Sequence, residues 1–202
     1  IKDYLKKKMK VLDYGCGAGN NINIFSTVKT VHAYDTSNLA KKLIKKKNVK
    51  VVNKLDKDYD IILCSDVLEH IKDDKSIIDI FHNSLKKNGL LFLTVPALPI
   101  LYTNKDKELG HYRRYKMKDL IKLFKNFKIQ YLSYYNFFLF FLISPVLIFM
   151  NKFNISIAKK VESSPNLFLN NLFYRIFSLE KFFLKRKINF PIGISIIGIL
   201  KK

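Results

Sequence analysis

Lys10-Val11-Leu12-Asp13-Tyr14-Gly15-Cys16-Gly17-Ala18-Gly19-Asn20 decides what this chain folds into. Val11 to Tyr14 is a short β-prone run. Three glycines follow on alternate positions, and a helix is expected from Asn20 to Thr27. Glycine tolerates positive φ and admits a ligand to the main chain where a Cβ would block it. Strand, Gly-rich turn and helix N-terminus together make the nucleotide cradle of open α/β sheets. A dinucleotide fingerprint, G-x-G-x-x-G, would place its third glycine at Asn20. The pattern is instead D-x-G-x-G-x-G, with Asp13 closing the strand. A carboxylate there suits a cationic group and repels a pyrophosphate. The alternative is a Gly-rich turn that holds no ligand.

Downstream, strands and helices alternate. Thr30 to Asp35 reads as a second strand ending in an acid, and Val49 to Asn53 as a third. Tyr59 to Cys64 is nearly all apolar, as a central parallel strand buried on both faces must be. Ser37 or Asn38 caps a helix with Leu39, Leu43 and Ile44 along its inner side. Asp73 or Asp74 opens a second, running through Lys87 with Ile77, Ile78, Ile80, Phe81 and Leu85 inward and Asn88-Gly89 closing it. Leu90 to Val95 is a fifth strand stopped by Pro96. The alternation predicts an α/β chain with a doubly wound parallel sheet. Beyond it come a connection over 97–115, a short helix from Lys118 to Lys125, and a sixth strand from Phe127 to Tyr134. A helical insert over 135–188 then precedes a last strand, Pro191 to Leu200.

The 202 residues suit one domain, 1–202. The formal charge of +21 invites an anionic partner, but lysines are spread along the chain and form no focused patch. That favours a membrane surface over nucleic acid. Cys16 and Cys64 cannot build a disulfide framework, and no C-x-x-C or His cluster suggests zinc, so no metal is expected. No apolar run of signal-peptide length precedes the first strand. With reduced thiols as the default, the expectation is a cytoplasmic protein.

Asp35 stands about 20 residues after the loop, where a carboxylate accepts from both hydroxyls of a ribose; the alternative is a helix cap. The fourth strand runs into Cys64-Ser65-Asp66-Val67-Leu68-Glu69-His70-Ile71 at the crevice edge. Asp13-x-Gly15-x-Gly17-x-Gly19, Asp35, Tyr59-Asp60-Ile61-Ile62, Ser65-Asp66-Val67-Leu68-Glu69-His70 and Asn88-Gly89-Leu90-Leu91-Phe92-Leu93-Thr94-Val95-Pro96 resemble class I S-adenosylmethionine-dependent methyltransferases. The resemblance covers about 9–134, with Pro191 to Leu200 resembling the terminal strand. It implies a Rossmann-like, seven-stranded, mostly parallel sheet and S-adenosyl-L-methionine as cofactor. It further implies that Asp13 and the loop Tyr14, Gly15, Cys16, Gly17 and Gly19 hold the methionine ammonium. Asp35, with Thr36, would hold the ribose; Ser65 and Asp66 would flank the methionine moiety. Adenine would lie near Asn53 and Leu55, where family members often carry an acid-containing G-D-x step.

A hydroxyl acceptor must also lose a proton, for which histidine is suited near neutrality. His70 and His111 are the candidates; the alternative for His70 is a structural or capping role. Gly110-His111-Tyr112-Arg113-Arg114-Tyr115 resembles a G-H-x-R-R-Y loop found in a subset of these enzymes, where it closes over the acceptor. Arg113 and Arg114 are expected to grip an anionic acceptor, with Tyr102 on the same side; a basic surface loop is the alternative.

Phe137 to Met150 is apolar but falls short of the roughly 20 residues that span a bilayer. With an amphipathic stretch from Leu167 to Arg186 and Lys152, Lys159 and Lys160 nearby, 137–187 is expected to lie on the inner face of a membrane. A buried helical pair is the alternative. The expected activity is therefore methylation of a small-molecule, lipid-linked or glycan-like acceptor. The rivals are an RNA methyltransferase and an inactive methyltransferase fold that binds at membranes.

Overall fold

A computed structural model of the chain describes residues 1–44, 48–153 and 167–202. One sheet contains β1 (Lys10–Tyr14), β2 (Thr30–Tyr34), β3 (Val49–Val51), β4 (Tyr59–Ser65), β5 (Leu85–Pro96), β6 (Lys128–Tyr135) and β7 (Ser195–Lys201). Their order is β3-β2-β1-β4-β5-β7-β6. The first five are parallel, and β7 runs antiparallel to both β5 and β6. This is the Rossmann-like, mostly parallel sheet that the sequence leads one to expect. Strand order reverses between β1 and β4, so a crevice opens at their C-terminal ends. The glycine loop leaves β1 at that point.

Alternate side chains feed two apolar layers. Val11, Ile61, Leu63 and Phe92 pack on one face, and Leu12, Ile62, Cys64, Leu91 and Leu93 on the other. The unbroken apolar run of β4 follows from burial on both sides.

Several local expectations are corrected. The helix after the glycines is one 3-10 turn, Ile22–Phe25. Asparagines and β-branched residues favour helices weakly there, while Ile22 and Phe25, both buried, meet at the i, i+3 spacing that a 3-10 turn aligns. Ser37 does cap α1 (Asn38–Leu43), accepting from the Ala40 amide at 3.2 Å. However, Leu39 and Leu43 face solvent, as does Ile80. Helix α2 (Asp74–Ser84) stops short of Asn88-Gly89, because buried Leu85 already pairs with Tyr59 as β5 begins. Asn88 keeps its turn role, with φ at 66°.

Two short helices, α3 (Asn104–Glu108) and α4 (Met117–Leu123), lie in the connection to β6. Between β6 and β7 come α5 (Phe137–Lys152) and α6 (Leu167–Lys185). Glu180 of α6, only 2% exposed, accepts from the Asn136 amide and so caps α5. No described helix is long and apolar enough to cross a membrane. Lys159 and Lys160 lie outside the described residues.

Candidate active site

The loop after β1 is built on left-handed backbone. Gly15, Gly17 and Gly19 have φ of 73°, 49° and 87°. A Cβ on Gly15 would stand 2.3 Å from Val67 Cγ2, so the loop packs directly on the segment that leaves β4. At Gly17 none of the described residues comes within 4 Å of the Cβ position, which faces open space among them. The Gly15 and Cys16 amides donate to the Tyr34 carbonyl at 2.8 and 3.0 Å. The Gly17 amide donates to Asp35 Oδ2 at 2.8 Å, and the Ser37 amide to Oδ1 at 2.8 Å. With those three loop amides engaged inside the protein, the turn is a poor phosphate cradle.

Beneath it lies Asp13, 1% exposed, with no hydrogen-bond partner on either carboxylate oxygen among the described residues. Burial, reinforced by the charge of Asp35, raises its pKa to about 7. An orphaned carboxylate is costly unless a cation meets it. S-adenosylmethionine carries two cationic groups, and the space over Gly17 admits it to the main chain. The residues present fit that cofactor.

Around this pair, Tyr14 stacks on Tyr34 with centroids 4.8 Å apart, and burial pushes its hydroxyl up to about 12. Burial, then the Asp13 charge, pushes the Cys16 thiol up to about 12; Cys64 is raised also, so neither is a ready nucleophile. Thr36 is exposed. Asn53 accepts from Lys41 Nζ at 3.1 Å and lines a hollow of about 430 Å³ with Tyr14, Tyr34 and Leu55.

Across the crevice, Ser65 Oγ lies 2.9 Å from Thr94 Oγ1 and donates to Asp66 Oδ2 at 3.3 Å. Asp66 turns the chain with φ at 53°. A 3-10 turn, Leu68–His70, follows. The Tyr112 amide donates to the Glu69 carbonyl at 2.8 Å, tying the two segments together. His70 and His111 meet edge to face, centroids 4.6 Å apart. Partial desolvation and then His111 hold the His70 pKa below its usual value. Glu69 joins them: it is 1% exposed, Oε2 has no hydrogen-bond partner among the described residues, and burial raises its pKa to about 8.

Asp106 organises the rest. Only 2% exposed, it accepts from the Thr103 amide at 2.8 Å, from Arg114 Nε and Nη2 at 2.9 and 3.1 Å, and lies 3.0 Å from His111 Nδ1. Although burial works the other way, those bonds hold its carboxyl below the usual range. Tyr102 donates its hydroxyl to the His111 carbonyl at 2.6 Å. Arg113 donates to Asp74 Oδ2 at 2.6 Å and to the Lys72 carbonyl at 2.7 Å.

Residues 1–133 match a family described as a methyltransferase domain. The chain belongs to that family. Among similar solved structures is an S-adenosylmethionine-dependent methyltransferase from Mesorhizobium loti, with 10% identity and TM-score 0.63, covering 98% of this chain and 94% of that one. Another, from Archaeoglobus fulgidus, has 16% identity and TM-score 0.61, covering 99% and 89%. Phosphoethanolamine N-methyltransferase 2 of Haemonchus contortus, in complex with S-adenosyl-L-methionine, gives 16% and 0.61, covering 98% and 49%. At such identities the likeness is one of fold. An uncharacterized protein of Methanocaldococcus jannaschii is 34% identical over 95 residues, a match spanning 45% of this chain and 42% of that protein.

In this methyltransferase the arginines are not as expected. Arg113 and Arg114 each serve an internal carboxylate instead of presenting free guanidinium groups to an acceptor, and the Tyr102 hydroxyl is engaged too. The turn held by Asp106 engages Arg114, and Asp74 at the start of α2 engages Arg113. Asp35 also does more than expected, pinning the glycine loop while keeping lone pairs for hydroxyl donors. The sequence alone did not place Glu69 beside both histidines, because His111 comes from a separate connection. The T-x-x-D spacing of Thr103 and Asp106 was the available signal for the buried hub.

Proposed function

We propose that the chain methylates a hydroxyl-bearing small-molecule, lipid-linked or glycan-like acceptor at a membrane surface. The observation that carries cofactor use is Asp13: a buried carboxylate without a partner, next to a stretch of main chain open at Gly17. S-adenosylmethionine supplies an electrophilic methyl group on a sulfonium. Asp13 meets positive charge, Gly17 lets the ligand approach the backbone, and Asp35 fixes the loop while accepting from hydroxyls. Near the end of β4, His70 and His111 offer imidazole nitrogens for an acceptor proton. Holding donor and acceptor close supplies much of the acceleration for an in-line displacement.

The membrane reading is supported by α5 and α6, which expose Phe141, Leu142, Phe149, Leu179 and Phe182. Mass spectrometry of lipid and glycan fractions incubated with the protein and methyl-labelled cofactor tests the whole. Labelled product in a lipid or glycan fraction is expected. Label found instead in RNA would replace the acceptor, and no cofactor binding by calorimetry would remove the enzyme reading.

A further inference from the structure

We propose that Glu69, His70 and His111 bind a divalent transition-metal ion on the acceptor side of the crevice. One carboxylate oxygen and one nitrogen from each imidazole lie within 4.8 Å of one another. Ligands about 2.1 Å from a tetrahedral ion stand roughly 3.4 Å apart, so the exposed His70 ring, which also bonds the Gly110 backbone, must move inward to close the set. Glu69 is the decisive member. It is 1% exposed, and its Oε2 has no hydrogen-bond partner among the described residues. A carboxylate in that setting calls for a cation. Arg114, whose charge reaches Glu69, is bonded to Asp106 and does not supply it.

The far side of the His111 ring also has its partner. Asp106 lies 3.0 Å from His111 Nδ1, and an acceptor there favours the hydrogen on that nitrogen, which leaves the Nε2 lone pair for a metal. Asp66, beside the same turn, adds negative potential felt by both Glu69 and His70. Two imidazoles and one carboxylate suit ions of the manganese-to-zinc series. Three protein ligands leave positions open, as at a catalytic ion and not a structural one. There the imidazole nitrogens would serve as ligands in place of proton acceptors, and the ion would hold acceptor oxygens and lower the pKa of a bound hydroxyl, whose proton passes to water. That role rests on the methyl-transfer reading; binding of the ion does not.

Titration calorimetry of the tag-free full chain, stripped with chelator and without cofactor, tests the site with Zn²⁺ and Mn²⁺. One equivalent of at least one ion should bind, and Glu69→Gln and His70→Ala should each weaken it at least tenfold. His70 is accessible, so its replacement leaves the core alone, and circular dichroism checks Glu69→Gln. No stoichiometric uptake of either ion, or equal affinity in both variants, overturns the proposal. A parallel S-adenosylmethionine titration separates the two readings. A chain that binds cofactor but neither ion sinks the metal site alone. A chain that binds the ion but no cofactor upholds the metal site and removes methyl transfer.

Discussion

Asp35 and Gly17 are joined by a 2.8 Å hydrogen bond from the glycine amide to one carboxylate oxygen, while the other oxygen holds the Ser37 amide. A side chain at the end of β2 thus sets the shape of the turn at the end of β1. Asp35→Ala removes both bonds and the acceptor for hydroxyls. Hydrogen bonds to a charged group contribute about 1.5–3 kcal/mol each, so cofactor affinity should fall roughly 10- to 100-fold by calorimetry. Unchanged affinity would mean the carboxylate has no part in binding.

Gly15 and Gly17 should fail in different ways. Gly15→Ala drives a Cβ to 2.3 Å from Val67 Cγ2 at φ 73°, and should lower thermal stability markedly. Val67→Ala in the same chain relieves the contact but not the backbone strain, so rescue is partial. Gly17→Ala meets nothing within 4 Å and should cost only about 1–2 kcal/mol of folding stability, from its left-handed backbone. Its methyl group would occupy the ligand's approach, so cofactor binding should be lost while the fold survives. Equal effects on melting temperature would contradict this division.

Asp13 gives the cofactor-free protein a pH signature. The folded chain keeps the Asp13 proton up to about pH 7, whereas an ordinary aspartate releases it near 3.8. Between those values the folded state binds more protons than the unfolded one, so this contribution to stability declines as pH rises. Its full span is at most about 4 kcal/mol. Asp13→Asn should flatten that part of a denaturation profile. Asp35, Cys16 and Cys64 face the same group and are unaltered in the variant. Affinity for the cationic cofactor should run the opposite way, rising toward pH 7 and then levelling.

The adjacent arginines should prove unequal. Arg114→Met strands a carboxylate that is only 2% exposed, and loss of a buried partner costs about 3–5 kcal/mol. Arg113→Ala removes a pair whose members are 33% and 20% exposed, worth about 1 kcal/mol or less. Chemical denaturation of both variants decides it, and similar midpoints would dismiss the hub role of Asp106.

Flotation with anionic liposomes addresses the helices between β6 and β7. The intact chain should rise with the vesicles, and the triple variant Phe141→Asp, Leu142→Asp, Phe149→Asp should stay behind. Recovery of the intact chain in the soluble fraction would withdraw the membrane proposal.

Much of the sheet was legible because both of its signals are local. Apolar runs such as Tyr59 to Cys64 mark buried parallel strands, and the glycines with Asp13 mark the turn where the ligand crevice opens. Helix limits were less so. Leu85 reads equally well as the last inward residue of a helix or the first of a strand, and only its pairing with Tyr59 decides. The site was half visible. Residues on one continuous turn, Asp13 to Gly19, could be read together. The Glu69, His70 and His111 group forms only when the connection after β5 folds back, through the Tyr112 amide, onto the end of β4. Arg113 and Arg114 looked like ligands for a guest because their hosts, Asp74 and Asp106, lie elsewhere in the chain.

Tyr135 and Ser195 sit opposite one another in the β6–β7 register, so the excursion that contains α5 and α6 leaves and re-enters the sheet at a single doorway. That opening sits at the β6–β7 side of the sheet, and Leu184 of the excursion packs back on the layer of Val11, Ile61 and Phe92. Two strands, β4 and β5, thus stand between the excursion's doorway and the glycine turn.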